Sequence, residues 1–307
     1  MQKLTPANER TLGIIQIAVS GLAFGFLGLF GKLAFRNGLS VGELLCYRFS
    51  MATLMMALGL ALVSRRRLLI AKHQLFICAG LGIFGYAVFS SFYFAAIEGV
   101  SVAMAALLLY TYPVLVAVGA RLFFKQRLTR AQLLALPLAL VGLAVLLGRE
   151  LSLEDARLVP IACGLAAALC YSAYILVSSR YQGAIDPLTS AFYVMLFATV
   201  GLFIFHHPDV SRVMRFDVVK LGLISGIALI CTVTPLVLFL SGLQKLGNTE
   251  ASLLSTVEPI TAAMIGSLLL NEVLTANEWI GGAIVLIALV ITVLGSQTKV
   301  RLAAEIA

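Results

Sequence analysis

Of 307 residues, 61% are hydrophobic and only 12% charged, and the mean hydropathy is +1.04. Soluble globular domains carry about 25% charged residues, so the composition excludes a soluble enzyme and leaves an all-α polytopic membrane protein. The net charge of +8 does not point to nucleic acid, because basic residues in such a chain gather in cytoplasmic loops.

Apolar stretches of about 20 residues, enough to cross a bilayer, are predicted at 12–35, 41–63, 74–97, 100–123, 131–148, 158–179, 187–205, 219–243, 249–270 and 277–296. The longest polar gap, His206 to Lys220, leaves no room for a soluble catalytic domain. Span one has no small-residue cleavage site and is expected to be retained. Its Gly21, Gly25 and Gly28 form a stripe suited to close helix contact that ends at Lys32. Lys32 either turns inward or snorkels to the outer interface. In span two, Arg48 follows Glu43 by five residues, a poor spacing for an intrahelical pair. Arg48 is therefore expected to seek a partner on another helix, most simply in a structural ion pair.

Tyr86, Phe89, Ser90 and Tyr93 share one face of span three, Tyr110 and Tyr112 flank Pro113 in span four, Tyr171 and Tyr174 lie in span six and Tyr193 in span seven. Buried tyrosines need a partner for the hydroxyl, so these suit either a polar cavity or ordinary helix packing. Span nine holds Glu258 followed by Pro259. At 100° per residue, Ala251, Ser255, Glu258, Thr261, Ala262 and Gly266 fall on one face, and Leu253, Val257, Ile260, Met264 and Leu268 opposite. An intramembrane acid must point at other helices or a cavity. Three roles stay open for Glu258: binding a substrate ammonium, carrying a coupling proton, or a structural salt bridge. Glu272, beyond this span, is expected to cap or orient the loop into span ten.

With the N-terminus inside, the inner segments hold thirteen Lys and Arg, including Arg65, Arg66, Arg67 and Arg127, and the outer loops six. Both termini are thus expected to be cytoplasmic. The five cysteines, Cys46, Cys78, Cys163, Cys170 and Cys231, make no CxxC pair and read as packing thiols.

The stretch "YTYPVLVAVGARLFFKQRLT" aligns with "TVEPITAAMIGSLLLNEVLT" at a constant offset of 146, and the register runs ungapped from Phe94/Leu240 to Gly148/Leu294. Upstream, "SGLAFG" matches "CGLAAA" after a small shift. Residues 1–148 and 149–307 read as two copies of five spans each. Five is odd, so the second copy crosses in the opposite direction, an inverted repeat as in secondary transporters, whose sites lie at the midplane. Pro113 and Pro259 fall near mid-membrane in both copies. Each is either a packing kink or a break that frees the carbonyl four residues back, Leu109 or Ser255, for a substrate.

No phosphate loop, metal spacing or catalytic triad is present in the sequence, and no cofactor, metal ligand or catalytic residue is assigned.

"LAFGFLGLFGKLAF", "CYRFSMATL" and above all "EPITAAMIGSLLLNEVLTANEWIGGAIVLIALVI" resemble the EamA family of the drug/metabolite transporter superfamily over nearly the whole chain. The resemblance implies ten transmembrane helices in two inverted five-helix repeats around a central cavity. It also implies export of amino acids or related small metabolites across the bacterial cytoplasmic membrane, and the tyrosine-rich spans look most like the family's amino-acid exporter branch. One departure is Gln126, followed by Arg127, where the second copy keeps Glu272.

The site is expected to be lined by Tyr86, Tyr93, Tyr110, Tyr112, Ser255 and Glu258, with Lys32 or Arg48 as charge partners and Pro113 and Pro259 as helix breaks. The partners are a small-molecule substrate and the bilayer. Ten spans can enclose a path in one subunit, so a monomer suffices and a dimer is compatible. The alternatives are a nucleotide-sugar, organophosphate or drug carrier and, last, a membrane enzyme or sensor. A phosphate substrate asks for several inward basic residues, and the spans offer mainly Lys32, Arg48 and Arg121.

Overall fold

The computed structural model describes residues 6–63, 69–125, 128–147, 158–181, 185–246, 251, 254–255 and 257–306. Arg65, Arg66, Arg67, Gln126 and Arg127 lie outside them. The first half contains α1 (Pro6–Gly25 and Leu27–Arg36), α2 (Val41–Val63), α3 (Lys72–Gly80, Leu81–Ala87 and Val88–Gly99), α4 (Val102–Leu109 and Tyr112–Phe124) and α5 (Arg130–Leu147). The second contains α6 (Leu158–Ser179), α7 (Pro187–His206), α8 (Val218–Ala228, Leu229–Val233 and Thr234–Leu246), α9 (Val257–Leu270) and α10 (Ala276–Ile306). Seven of these are long and apolar enough to cross a membrane, and α5, α9 and α10 contain shorter apolar helices. They follow the ten predicted spans, except that α10 continues beyond residue 296 to Ile306.

The protein is an all-α polytopic membrane fold of two inverted five-helix repeats, and its packing carries the symmetry. Helix α1 lies against α8 and α9 of the other half, while α6 lies against α3 and α4; α2 meets α8 as α7 meets α3. Counterparts also pack on each other: α2 on α7, α4 on α9, α5 on α10. On the α2–α7 contact, the hydroxyls of Thr53 and Thr199 lie 3.2 Å apart, 146 residues removed.

Local signals repeat with the same offset. Both α3 and α8 contain a π-turn, Leu81–Ala87 and Leu229–Val233. Such a turn inserts a residue into the helical ladder and recurs at functional sites. Lys125 and Asn271 both end their helices in the left-handed region, with φ 54° and 55°. At the second, the Glu272 amide reaches back to the Gly266 carbonyl at 3.0 Å, which satisfies an orphan carbonyl. Helices α5 and α10 start with matching capping boxes: the Gln132 side chain accepts from the Thr129 amide at 2.9 Å, and Glu278 from the Thr275 amide at 2.7 Å.

The face of α9 opposite Glu258 is turned outward: Ile260, Met264 and Leu268 are 48%, 55% and 71% exposed, while Thr261, Ala262 and Gly266 are buried. The glycine stripe of α1 packs as its spacing predicts. A Cβ on Gly25 would lie 2.6 Å from Thr261 Cβ of α9, and one on Gly28 would overlap Val102 of α4. The cysteines are free thiols, with Cys46, Cys78 and Cys231 buried.

The segment between α7 and α8 forms a short 3-10 helix, Val210–Arg215, latched to the start of α2. Arg212 pairs with the Glu43 carboxylate at 2.6 Å, and the Tyr47 hydroxyl donates to the Asp209 carbonyl at 3.2 Å. The Ser211 hydroxyl and amide both donate to the Asp209 carboxylate and hold its pKa below the ordinary value.

Candidate functional site

The breaks in α4 and α9 meet in the interior. Helix α4 is interrupted at Tyr110 and Thr111 and restarts at Tyr112, with Pro113 in its new first turn. Before α9, Ser255 closes a turn by bonding its amide and hydroxyl to the Ala251 carbonyl at 3.0 and 2.8 Å, and Pro259 stands in the helix's first turn. Neither proline kinks a continuous helix. Each occupies a first turn, where an amide has no intrahelical acceptor to lose, and the break itself falls a few residues earlier. The Tyr110 hydroxyl bridges the two breaks, 2.9 Å from the Glu258 carboxylate and 3.2 Å from the Ser255 carbonyl.

Beside this junction is a cavity of about 310 Å³ lined by Tyr86, Tyr93, Tyr110, Tyr112, Ser255, Glu258 and Arg48, together with Phe89, Tyr171 and Tyr174. Its wall is a continuous chain of rings. Tyr86 meets Phe89 and Tyr174 edge-on at 5.6 and 5.7 Å, Phe89 leans on Tyr171 at 4.8 Å, and Tyr112 meets Tyr171 at 4.9 Å. The aromatic wall lowers the local dielectric and makes any charge facing the cavity act over a longer range.

Two ionisable side chains face it. Arg48 is 3% exposed and finds its partner on another helix, as expected, but that partner is a hydroxyl. Its Nε donates to Thr232 Oγ1 in the π-turn of α8 at 2.8 Å. The guanidinium lies 5.0 Å from the Phe49 ring centroid and 5.2 Å from that of Phe94. Among the described residues no carboxylate lies within ion-pairing distance of Arg48, and no cation within that distance of Glu258. Neither the ion pair expected of Arg48 nor the structural salt bridge considered for Glu258 is formed among the described residues; Glu43 is taken by Arg212.

Lys32 does not line the cavity. Its ammonium turns to the Glu98 carbonyl at 3.5 Å, near Glu272, at the end of the bundle. Glu272 departs from expectation as well. Its carboxylate accepts the Val102 amide at 2.9 Å and so caps the start of α4, while Glu278 caps α10 and accepts the Ser101 hydroxyl at 3.0 Å. Burial raises the Glu272 pKa, opposed by the Val102 hydrogen bond and the Lys32 charge. Tyr193 packs against Phe192 instead of facing the cavity. Sequence reasoning missed Ser20, Phe24, Phe239 and, above all, Thr232. Carrying the offset of 146 upstream of Phe94/Leu240 would have paired Thr232 with Tyr86.

An inverted-repeat helical membrane fold whose broken helices meet at an interior cavity with unpaired charges defines the class of secondary carriers. The chain belongs to the EamA-like transporter family, whose model matches residues 11–148 and again 158–294. An uncharacterized transporter of Archaeoglobus fulgidus is 31% identical over 213 residues, 69% of this chain and 74% of that one. The threonine/homoserine exporter RhtA of Escherichia coli K12 is 28% identical over 239 residues, 76% of this chain and 75% of that protein. One solved crystal structure, 17% identical, superposes with a TM-score of 0.62 over 95% of this chain and 99% of its own, a likeness of fold.

Proposed function

We propose that the protein exports amino acids or closely related small metabolites by alternating access across a bacterial cytoplasmic membrane, with both termini cytoplasmic. The observation that carries this reading is the pair of oppositely charged side chains, Arg48 and Glu258, that face one aromatic cavity with no ion-pair partner among the described residues. A buried charge left unpaired is costly, and a zwitterion offers both an acceptor and a donor. The cavity's volume of about 310 Å³ is at the small end of ligand sites, about 300–1,000 Å³. The kinship with a threonine/homoserine exporter agrees in chemical class.

The rival reading, a phosphorylated solute, has a single lining cation, Arg48, to rely on. Counterflow of labelled amino acids through liposomes containing the purified chain tests the proposal, at matched and at offset pH. Saturable flux of a subset supports it, and a flux driven by the pH step makes Glu258 the leading proton site. No flux for any amino acid, with uptake of a nucleotide sugar or organophosphate, overturns it.

A further inference from the structure

Arg48 and Glu258 are not equally ready for a solute. The Glu258 carboxylate already accepts the Tyr110 hydroxyl at 2.9 Å. Of the Arg48 donors only Nε is engaged, by Thr232 Oγ1 at 2.8 Å. Its two terminal nitrogens have no protein acceptor among the described residues, and the side chain lines the cavity. Only 3% of the residue is exposed, and Phe49 and Phe94 flank the guanidinium, so the side chain is locked in place.

With Nε held from behind, the guanidinium presents its other edge, the pair of parallel N–H groups that takes a carboxylate bidentately. Thr232 is itself fixed. Its hydroxyl donates to the Ile227 carbonyl five residues back at 2.9 Å, across the π-turn, which leaves its lone pairs for Arg48.

We infer that Arg48, positioned by Thr232 and the π-turn of α8, is a carboxylate subsite, so that the carrier requires the carboxylate of its solute and tolerates loss of the amino group. Arg48 is the binding residue and Thr232 the positioning residue. The inference rests on the amino-acid reading above for the rest of the solute. A missing carboxylate leaves a buried cation without an acceptor, whereas a missing ammonium leaves Glu258 with the donor it already has.

The test is equilibrium binding to the purified full chain in detergent micelles. Phenylalanine, 3-phenylpropanoate, which lacks the amino group, and phenethylamine, which lacks the carboxylate, share a side chain suited to the aromatic wall. The propanoate is expected within about tenfold of phenylalanine, and the amine on the order of a hundredfold weaker. Thr232→Val should weaken both carboxylates by roughly tenfold and leave the amine unchanged, and Thr232→Ser, which keeps the hydroxyl, should restore them to within about twofold.

Three results overturn the inference: an amine that binds as tightly as the propanoate, a Thr232→Val loss shared equally by all three probes, or no binding of either carboxylate. If the propanoate binds in a Thr232-dependent way and phenylalanine does not, the subsite stands and the amino-acid reading falls.

Discussion

Replacing Tyr110 by phenylalanine removes one oxygen from the junction of the two repeats. That oxygen lies 2.9 Å from the Glu258 carboxylate and 3.2 Å from the Ser255 carbonyl, on a residue only 5% exposed, so bulk water does not replace it. Its worth depends on what Glu258 is. Hydrogen bonds between membrane helices average about 0.6 kcal/mol, whereas those to charged groups contribute about 1.5–3 kcal/mol. For an ionised Glu258, Tyr110→Phe should destabilise the fold by about 2 kcal/mol. In a Glu258→Gln background, where the acceptor is neutral, the same change should cost about 0.6 kcal/mol.

The coupling in this double-mutant cycle is then about 1.4 kcal/mol. Reversible unfolding of the four proteins in mixed micelles at neutral pH measures it. Equal losses in the two backgrounds refute the reasoning: the hydroxyl would then serve the Ser255 carbonyl, and Glu258 would not be a fixed anion at the cavity.

Gly25→Ala should lower the thermal midpoint, because overpacking a Cβ 2.6 Å from Thr261 Cβ costs about 1–3 kcal/mol, more than the helix-propensity gain of about 1 kcal/mol. Gly59→Ala, at a site with nothing within 4 Å, should show no loss in the same melt. Arg212→Ala strips the ion-pair partner from Glu43, which is 4% exposed. With Arg212 half solvated the loss is expected at about 1–2 kcal/mol, below that of a fully buried pair, and it should largely vanish in a Glu43→Gln background. Burial lifts the Glu272 pKa above 4.5, so the folded state holds that proton more tightly than the unfolded one. Stability therefore falls as pH rises from about 4.5 through the folded value. Unfolding midpoints across that range should lose this slope in Glu272→Gln, and a slope that persists belongs to another group.

The spans and the inverted repeat were legible because apolar length and 100° periodicity depend only on local sequence. The inward face of α9 followed from the same count, and Ile260, Met264 and Leu268 are exposed as it requires. Pro113 and Pro259 marked the breaks to within a few residues, since a proline in a first turn leaves the interruption just upstream. Lys32 was not legible. Its stripe fixes a direction around α1, but its contact with Glu98 of α3 is set by tertiary packing. Thr232 escaped for another reason. The π-turn at Leu229–Val233 inserts a residue, so periodicity counted through α8 places the following side chains on the wrong face, and one threonine in an apolar run stands out only through its pairing with Tyr86 in the other copy.

The divergence between the two copies explains how a symmetric fold acquires a polar site. Where the first repeat has Arg48, the offset of 146 that Thr53 and Thr199 keep across α2 and α7 puts Val194 in the second; where the second has Glu258, it puts Tyr112 in the first. At the π-turns Tyr86 lines the cavity, whereas its counterpart Thr232 fixes Arg48. Upstream, aligning "SGLAFG" with "CGLAAA" matches Gly28 and Gly31 to Tyr171 and Tyr174. The glycines let α1 close against its neighbours, Val102 of α4 and Phe94 of α3, while the tyrosines of α6 line the cavity. Two identical copies would repeat every charge across the pseudo-two-fold axis and give a solute no preferred orientation. With the cation from one repeat and the anion from the other, the cavity has a direction. On the export reading proposed above, an inverted repeat exchanges which end is open while the two groups stay on their own helices, so that reading requires the same orientation of a dipolar solute to be favoured from either side.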